Sequence, residues 1–277
     1  MPYISYLFEG AAHVGEVVGD GVVPLDGLSE IGRDTAGDTL ASAPRDTRRT
    51  VPLNEVDLLP VVPHAGKVFC VGLNYLSHVD ETKRDLPDYP VLFPKFGSSF
   101  IAAGTPIPLP PESGQVDYEA ELAVVIGTSG RRIAEADALA HVMGYTIAND
   151  VTMRDFQYKT HQWLPGKAWD VSTPLGPALF LPHEVDLEGA RISLTLNGER
   201  LQDSDLSRLI FSVPFLISTI STFTTLEPGD VILTGTPGGV GYRREPQVFL
   251  RPGDRVEVSI AGLGTLANPV EEERTLP

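Results

Sequence analysis

The chain has 277 residues, 42% hydrophobic and 21% charged, the profile of a globular protein able to bury a sizeable core. At roughly 100–200 residues per domain, one large domain or one with a small appendage is expected. Thirty-seven acidic side chains against 21 basic ones give a formal charge of −16. That balance excludes nucleic acid and anionic membranes as main partners, because both need a positive footprint, while a local basic pocket for a small acid stays open.

Residues 3–9 and 15–24 read as short strands joined by a Gly-containing turn, as in a hairpin. Residues 37–52 are polar without a clear period and read as loop or short helix. A domain boundary is placed near Pro63-His64-Ala65-Gly66, dividing a small N-terminal domain (1–63) from the main body (64–277). From Lys67 onward, Gly and Pro separate short β-branched runs at 68–72, 118–127, 144–148, 192–196, 231–235 and 255–260. Asn197-Gly198 is a strong type I′ hairpin signal. Helices are expected over 75–83, 134–142 and 206–222, the last capped by Asp205 and kinked or broken at Pro214.

Many short strands with few helices predict a mixed α+β, β-rich fold, a sandwich or roll. The single cysteine, Cys70, cannot form an intrachain disulfide and reads as a buried strand residue. Residues 235–241 are glycine-rich but lack both the phosphate-loop lysine and the dinucleotide spacing. Residues 1–9 lack a basic stretch followed by an apolar one, and the apolar stretch 209–223 is interrupted by serines, threonines and Pro214. Neither a secretion signal nor a membrane span is expected, and the cytoplasm is the expected compartment.

Asp117-Tyr118-Glu119-Ala120-Glu121-Leu122-Ala123-Val124-Val125-Ile126 carries the most chemistry. Period-two alternation puts Asp117, Glu119 and Glu121 on one face with Ala123 and Val125. At about 3.3 Å per residue, Glu119 and Glu121 lie roughly 6.6 Å apart at Cα, close enough for their carboxylates to converge. Like charges there repel and lose hydration unless a cation compensates. Spacing alone is equally compatible with a solvated face; the purely apolar run after Glu121 favours a partly enclosed site. Asp150, after the apolar run 144–148, reads either as a helix cap or as a third acid. An all-oxygen set of three carboxylates suits Mg²⁺, or else Mn²⁺ or Ca²⁺, rather than zinc.

His78 and Glu81, three apart, face one side of a helical turn, where the carboxylate would make the imidazole a base for water. An exposed ion pair fits the spacing as well. Lys167, in Leu164-Pro165-Gly166-Lys167-Ala168-Trp169, is either a solvated lysine or a source of positive charge for a developing oxyanion. His13, His64, His141, His161 and His183 share no pattern and are assigned no role.

Taken in order, Gly72-Leu73-Asn74-Tyr75…His78-Val79-Asp80-Glu81, Asp117-Tyr118-Glu119-Ala120-Glu121-Leu122, Asn149-Asp150-Val151-Thr152…Gln157, Lys167-Ala168-Trp169-Asp170, Asn197-Gly198…Gln202-Asp203 and Gly229-Asp230…Gly235-Thr236-Pro237 resemble the fumarylacetoacetate hydrolase family over about 67–270. The resemblance implies a mixed β-roll, a divalent metal and a homodimer. It implies metal ligands at Glu119, Glu121 and Asp150, a water-activating pair at His78 and Glu81, and Lys167 near the substrate oxygen. Arg154, Gln157, Tyr158 and Thr236 are the implied substrate contacts.

The activity implied is hydrolysis of a carbon–carbon bond in an acylpyruvate, of the kind met in aromatic compound catabolism, giving pyruvate and a carboxylic acid. Oxaloacetate or 2-oxo acid decarboxylation, hydration of 2-oxo-pentenoates and isomerisation are alternatives in the same site. A non-catalytic binding protein is a further one. The expected partner is a small 2-oxo or diketo acid.

Overall fold

The structure, a computed structural model, describes residues 2–36, 38–76 and 87–273. Strands dominate it. The large sheet runs in the order Val51–Pro52, Gly21–Pro24, Ala11–Val18, Tyr3–Phe8, Thr173–Phe180, Val142–Asn149, Ala120–Ile126, Val231–Leu233, Val68–Gly72, Val91–Lys95. A second sheet is ordered Glu199–Asp205, Arg191–Leu196, Arg255–Ile260, Gly264–Glu272, Ile107–Leu109. The mixed, strand-rich class expected from the sequence is the class observed.

At the centre lies Ala120–Ile126, with all of its residues buried. Its alternation sorts neighbours as a period of two requires. Ala123 and Val125 pack with Val68, Cys70 and Leu175 on one face. On the other face Leu122 meets Leu194, Val256 and Val258 of the second sheet. Further along, Val124 and Ile126 lie under Leu216, Ile217 and Ile220 of the helix Val213–Phe223. A strand covered on both faces reads as a continuous apolar run, which is why acids at its start stand out.

The N-terminal strands are hydrogen-bonded into this sheet, with Tyr3 opposite Leu179. Tyr3, Val14 and Ile31 share an apolar cluster with Val68 and Ala123. The predicted strand over 15–24 is two strands, Ala11–Val18 and Gly21–Pro24, because a second reversal falls at Gly19 and Asp20. Asn197 and Gly198 both have positive φ, 53° and 85°, as a type I′ turn demands.

The helices depart further from expectation. Residues 135–141 form 3₁₀ turns. In 206–222, Asp205 caps only a short turn by accepting from the Ser207 N–H at 3.1 Å. The helix proper begins after Ser212, whose hydroxyl accepts from the Phe215 N–H, so Pro214 sits in the first turn, where its missing donor costs nothing. Of the helix predicted over 75–83, only Tyr75 and Leu76 are among the described residues. His78 and Glu81 lie outside them.

Replacing Ser212 by Ala should cost about 1 kcal/mol in urea unfolding. Pro214→Ala should change stability by less than about 1 kcal/mol, whereas release of an interior kink would stabilise by about 3 kcal/mol.

Candidate functional site

Antiparallel pairing of Ala120–Ile126 with Val142–Asn149 brings the three acids together. Ala120 faces Asn149 and Glu121 faces Ala148. One step beyond, the Asp150 N–H donates to the Glu119 carbonyl at 2.9 Å, and the Asn149 side chain accepts from the Glu119 N–H at 2.9 Å. Carboxylate oxygens of Glu119, Glu121 and Asp150 then lie within 4.8 Å of one another. Their exposures are 6%, 1% and 0%, which removes the solvated-face reading. Asp150 caps no helix either; its oxygens are taken up by lysines.

Such a cluster needs compensation. Lys167 Nζ lies 2.8 Å from Glu119 Oε2 and 2.7 Å from Asp150 Oδ2. Lys95 Nζ lies 2.9 Å from the other Asp150 oxygen. It also donates to the carbonyls of Val151 and Lys167 and to the Thr173 hydroxyl. Arg154 spans Asp117 at 2.8 Å and Glu119 at 2.7 Å, and donates to Gln157 Oε1 at 3.0 Å. Although burial acts against the charge, Asp150 and Glu119 hold the Lys167 ammonium above its ordinary value. Lys167 is buried at the end of a short helix, Leu164–Lys167, so it is no solvated lysine.

Sequence reasoning missed Lys95. Its signal was a lone lysine between Phe93-Pro94 and Phe96, in a run whose proline argued against a strand. Asp117, expected only to share the face, is a structural tie. Besides Arg154, it accepts from the backbone N–H groups of Tyr118, Gly241 and Tyr242 at 2.8, 2.8 and 2.9 Å.

The glycines of 235–241 find their reason here. Gly235 donates its N–H to Glu121 Oε2 at 2.7 Å with φ of 106°, and a Cβ there would come within 2.8 Å of Asn74 Cβ. At Gly241 a Cβ would collide with the Val248 carbonyl.

A cleft partly open to solvent gathers Glu119, Arg154, Gln157, Tyr158, Lys167 and Thr236. Thus Glu119, the lysine and the four expected substrate contacts meet in one place, with Glu121 and Asp150 next to Glu119. Phe93, Trp163 and Val240 supply apolar wall.

The donor set fits a hard divalent cation. It offers oxygen alone, and two ligands of one such ion stand about 3–5 Å apart when each bond is about 2.1–2.6 Å. Charge agrees. Among the described residues, four buried carboxyl groups, counting Asp117, face three cations, Lys95, Lys167 and Arg154. With all four ionised, a divalent ion turns that deficit of one into a surplus of one, which suits an anionic substrate. Burial, then Asp150 and Glu119, push the Glu121 carboxyl well above the carboxylate range, against the pull of Lys167 and the Gly235 N–H.

Residues 67–271 match the family described as fumarylacetoacetate (FAA) hydrolase, C-terminal. The human protein named "Oxaloacetate tautomerase FAHD2A, mitochondrial" is 45% identical over 223 residues, covering 79% of this chain and 71% of its own. Its Xenopus laevis counterpart is 43% identical over 240 residues, covering 86% and 75%. Among solved structures, a fumarylacetoacetate hydrolase from Exiguobacterium antarcticum superposes with a TM-score of 0.85 at 35% identity, covering 99% of this chain and 100% of that one. A 5-carboxymethyl-2-hydroxymuconate delta-isomerase from Mycobacterium smegmatis gives 0.83 at 35% identity, covering 99% and 100%. Among the described residues no helix is long and apolar enough to cross a membrane.

In metal-free protein the folded chain keeps a proton on Glu121 that the unfolded chain releases near its ordinary value of 4.5, so stability falls as pH rises from there through the folded value. Glu121→Gln should therefore melt above wild type at about pH 8, with the gap closing at about pH 4. Added Mg²⁺ should raise the melting temperature of wild type and not of the variant. A variant melting below wild type at pH 8 would refute this reading of Glu121.

Proposed function

Because this chain belongs to the fumarylacetoacetate hydrolase family and gathers three buried carboxylates beside a basic cavity, we propose that it is a divalent-metal enzyme for enol–keto chemistry of 2-oxo acids, with an oxaloacetate-type diacid as substrate. The observation that carries this is Lys167, whose ammonium contacts two of the three acids and lines the same cavity. The names of the relatives, oxaloacetate tautomerases, support the choice of substrate.

Glu119, Glu121 and Asp150 would hold Mg²⁺, or Mn²⁺ or Ca²⁺ in its place. When bound, the ion supplies Lewis acidity and a template for a carboxylate with its neighbouring 2-oxo oxygen. Conversion of enol to keto form moves one proton from the enol hydroxyl to C3. Lys167 stabilises the negative charge on that oxygen once its proton has left. Arg154 holds Glu119 and Gln157 in place from one guanidinium. Gln157, accepting from Arg154 through Oε1, keeps its amide N–H groups to donate to substrate. Thr236 Oγ1 accepts from Gln202 at 2.8 Å, which turns its own proton outward to donate. Tyr158 stands at the mouth, and the apolar wall limits water. His78 with Glu81 is assigned the proton transfer at C3.

Acylpyruvate hydrolysis to pyruvate and a carboxylic acid is the second reading, as in aromatic compound catabolism. It is favoured by the His78–Glu81 spacing, which suits deprotonation of water, and by the likeness to a fumarylacetoacetate hydrolase. A homodimer, the division at 63/64 and a cytoplasmic location belong to the same proposal, although the curated relatives carry mitochondrial names.

Mg²⁺-loaded protein should speed the decay of oxaloacetate enol absorbance well beyond Mg²⁺ alone, and Lys167→Met should lower kcat by about 100-fold or more. Decay no faster than with free Mg²⁺ would sink the first reading. Pyruvate released from acetylpyruvate, abolished in His78→Ala, would establish the second.

A further inference from the structure

Two of the cations that line the cavity are spoken for. Arg154 is held by Asp117 and Glu119, and Lys167 by Glu119 and Asp150. Arg243 also lines the cavity, yet it is exposed and makes no ion pair among the described residues. Its guanidinium carbon sits 5.3 Å from the ring centre of Tyr242. Tyr242 in turn faces Tyr158, with ring centres 5.2 Å apart and planes tilted by 35°. The rim is thus two aromatic rings and one positive charge that has no ion pair among the described residues.

The segment carrying Arg243 is also fixed to the centre of the site. Asp117 binds the N–H groups of Gly241 and Tyr242 with the same carboxylate that binds Arg154. Arg243 follows directly, on the short turn Gly241–Arg243, so its backbone stands at a set place relative to the metal ligands. On a chain of net charge −16, an exposed cation at the mouth, unpaired among the described residues, is where an anionic tail gains a partner without a new buried charge.

We propose that Arg243 is a specificity-determining residue: it receives the distal carboxylate of a 2-oxo dicarboxylic acid whose 2-oxo acid end lies at the Glu119, Glu121 and Asp150 cluster. A planar guanidinium suits that task, since it can meet a carboxylate through two parallel N–H donors. This deepens the proposed function and rests on it for the orientation of the substrate. It adds a selection rule, diacids over monoacids, carried by one side chain outside the metal centre.

The test compares binding with turnover. Calorimetric titration of the Mg²⁺-loaded protein with 2-oxoglutarate and with 2-oxobutanoate reads the value of a distal carboxylate directly. Wild type should bind the diacid about 10-fold more tightly, Arg243→Gln should erase that preference, and Arg243→Lys should restore part of it. Binding of oxalate, which has no distal group beyond the metal-binding end, should be unchanged in both variants. With oxaloacetate, Arg243→Gln should raise KM about 10-fold and leave kcat within about 2-fold. Equal binding of diacid and monoacid by wild type, or an undiminished preference in Arg243→Gln, would overturn the proposal. If the diacid preference is present and lost in the variant while oxaloacetate is not turned over, the proposed function fails and the role of Arg243 stands.

Discussion

Three carboxylates sealed between packed layers repel one another and have lost their water, and the rest of the site follows from that constraint. Leaving such a cluster uncompensated would cost several kcal/mol. The chain answers from separate places in sequence: Lys95 from an edge strand, Lys167 from a short helix, Arg154 from the turn after Asp150, and backbone N–H groups from the glycine-rich loop. Each compensating group also faces or supports the cavity. Stability of the acids and chemistry of the site are therefore one problem with one solution.

The fold supplies the rigidity this needs. Ala120–Ile126 is covered by apolar side chains on both faces, so Glu121 has no route to solvent along its own strand. Pairing with Val142–Asn149 sets Asp150 opposite Glu119 through backbone hydrogen bonds, independent of side-chain rotamers. The glycines at 235 and 241 let a loop approach two carboxylates with its amides, where any Cβ would strike backbone or Asn74. Asp117 then links that loop to Arg154, so rim and floor of the cavity share an anchor.

Much of this was legible in the residues. Period two placed Glu119 and Glu121 on one face, the apolar run behind them favoured a partly enclosed site over a solvated face, and Asn197-Gly198 foretold its turn. Lys95 was not legible, because Pro94 disguises its strand and a lysine is ordinarily a surface residue. Thr173–Phe180 was missed for a like reason: Pro174 and Pro177 argue against a central strand, and the pairing with Val142–Asn149 is irregular between Tyr145 and Ile147, opposite the stretch that holds Pro177. Pro214 misled in the opposite sense, since a proline inside an apolar run marks a helix start as readily as a break. The glycine-rich stretch pointed away from nucleotides, but its real partners, Glu121 and Asp117, are distant in sequence and only the fold reveals them.

What unites these features is a centre built from acids whose burial is tolerable only beside cations. Anomalous diffraction from crystals soaked in Mn²⁺ would locate that centre. A single strong peak among the carboxylates of Glu119, Glu121 and Asp150, absent in Asp150→Asn, is the expected result. Peaks confined to surface acids, with none among these three carboxylates, would contradict it.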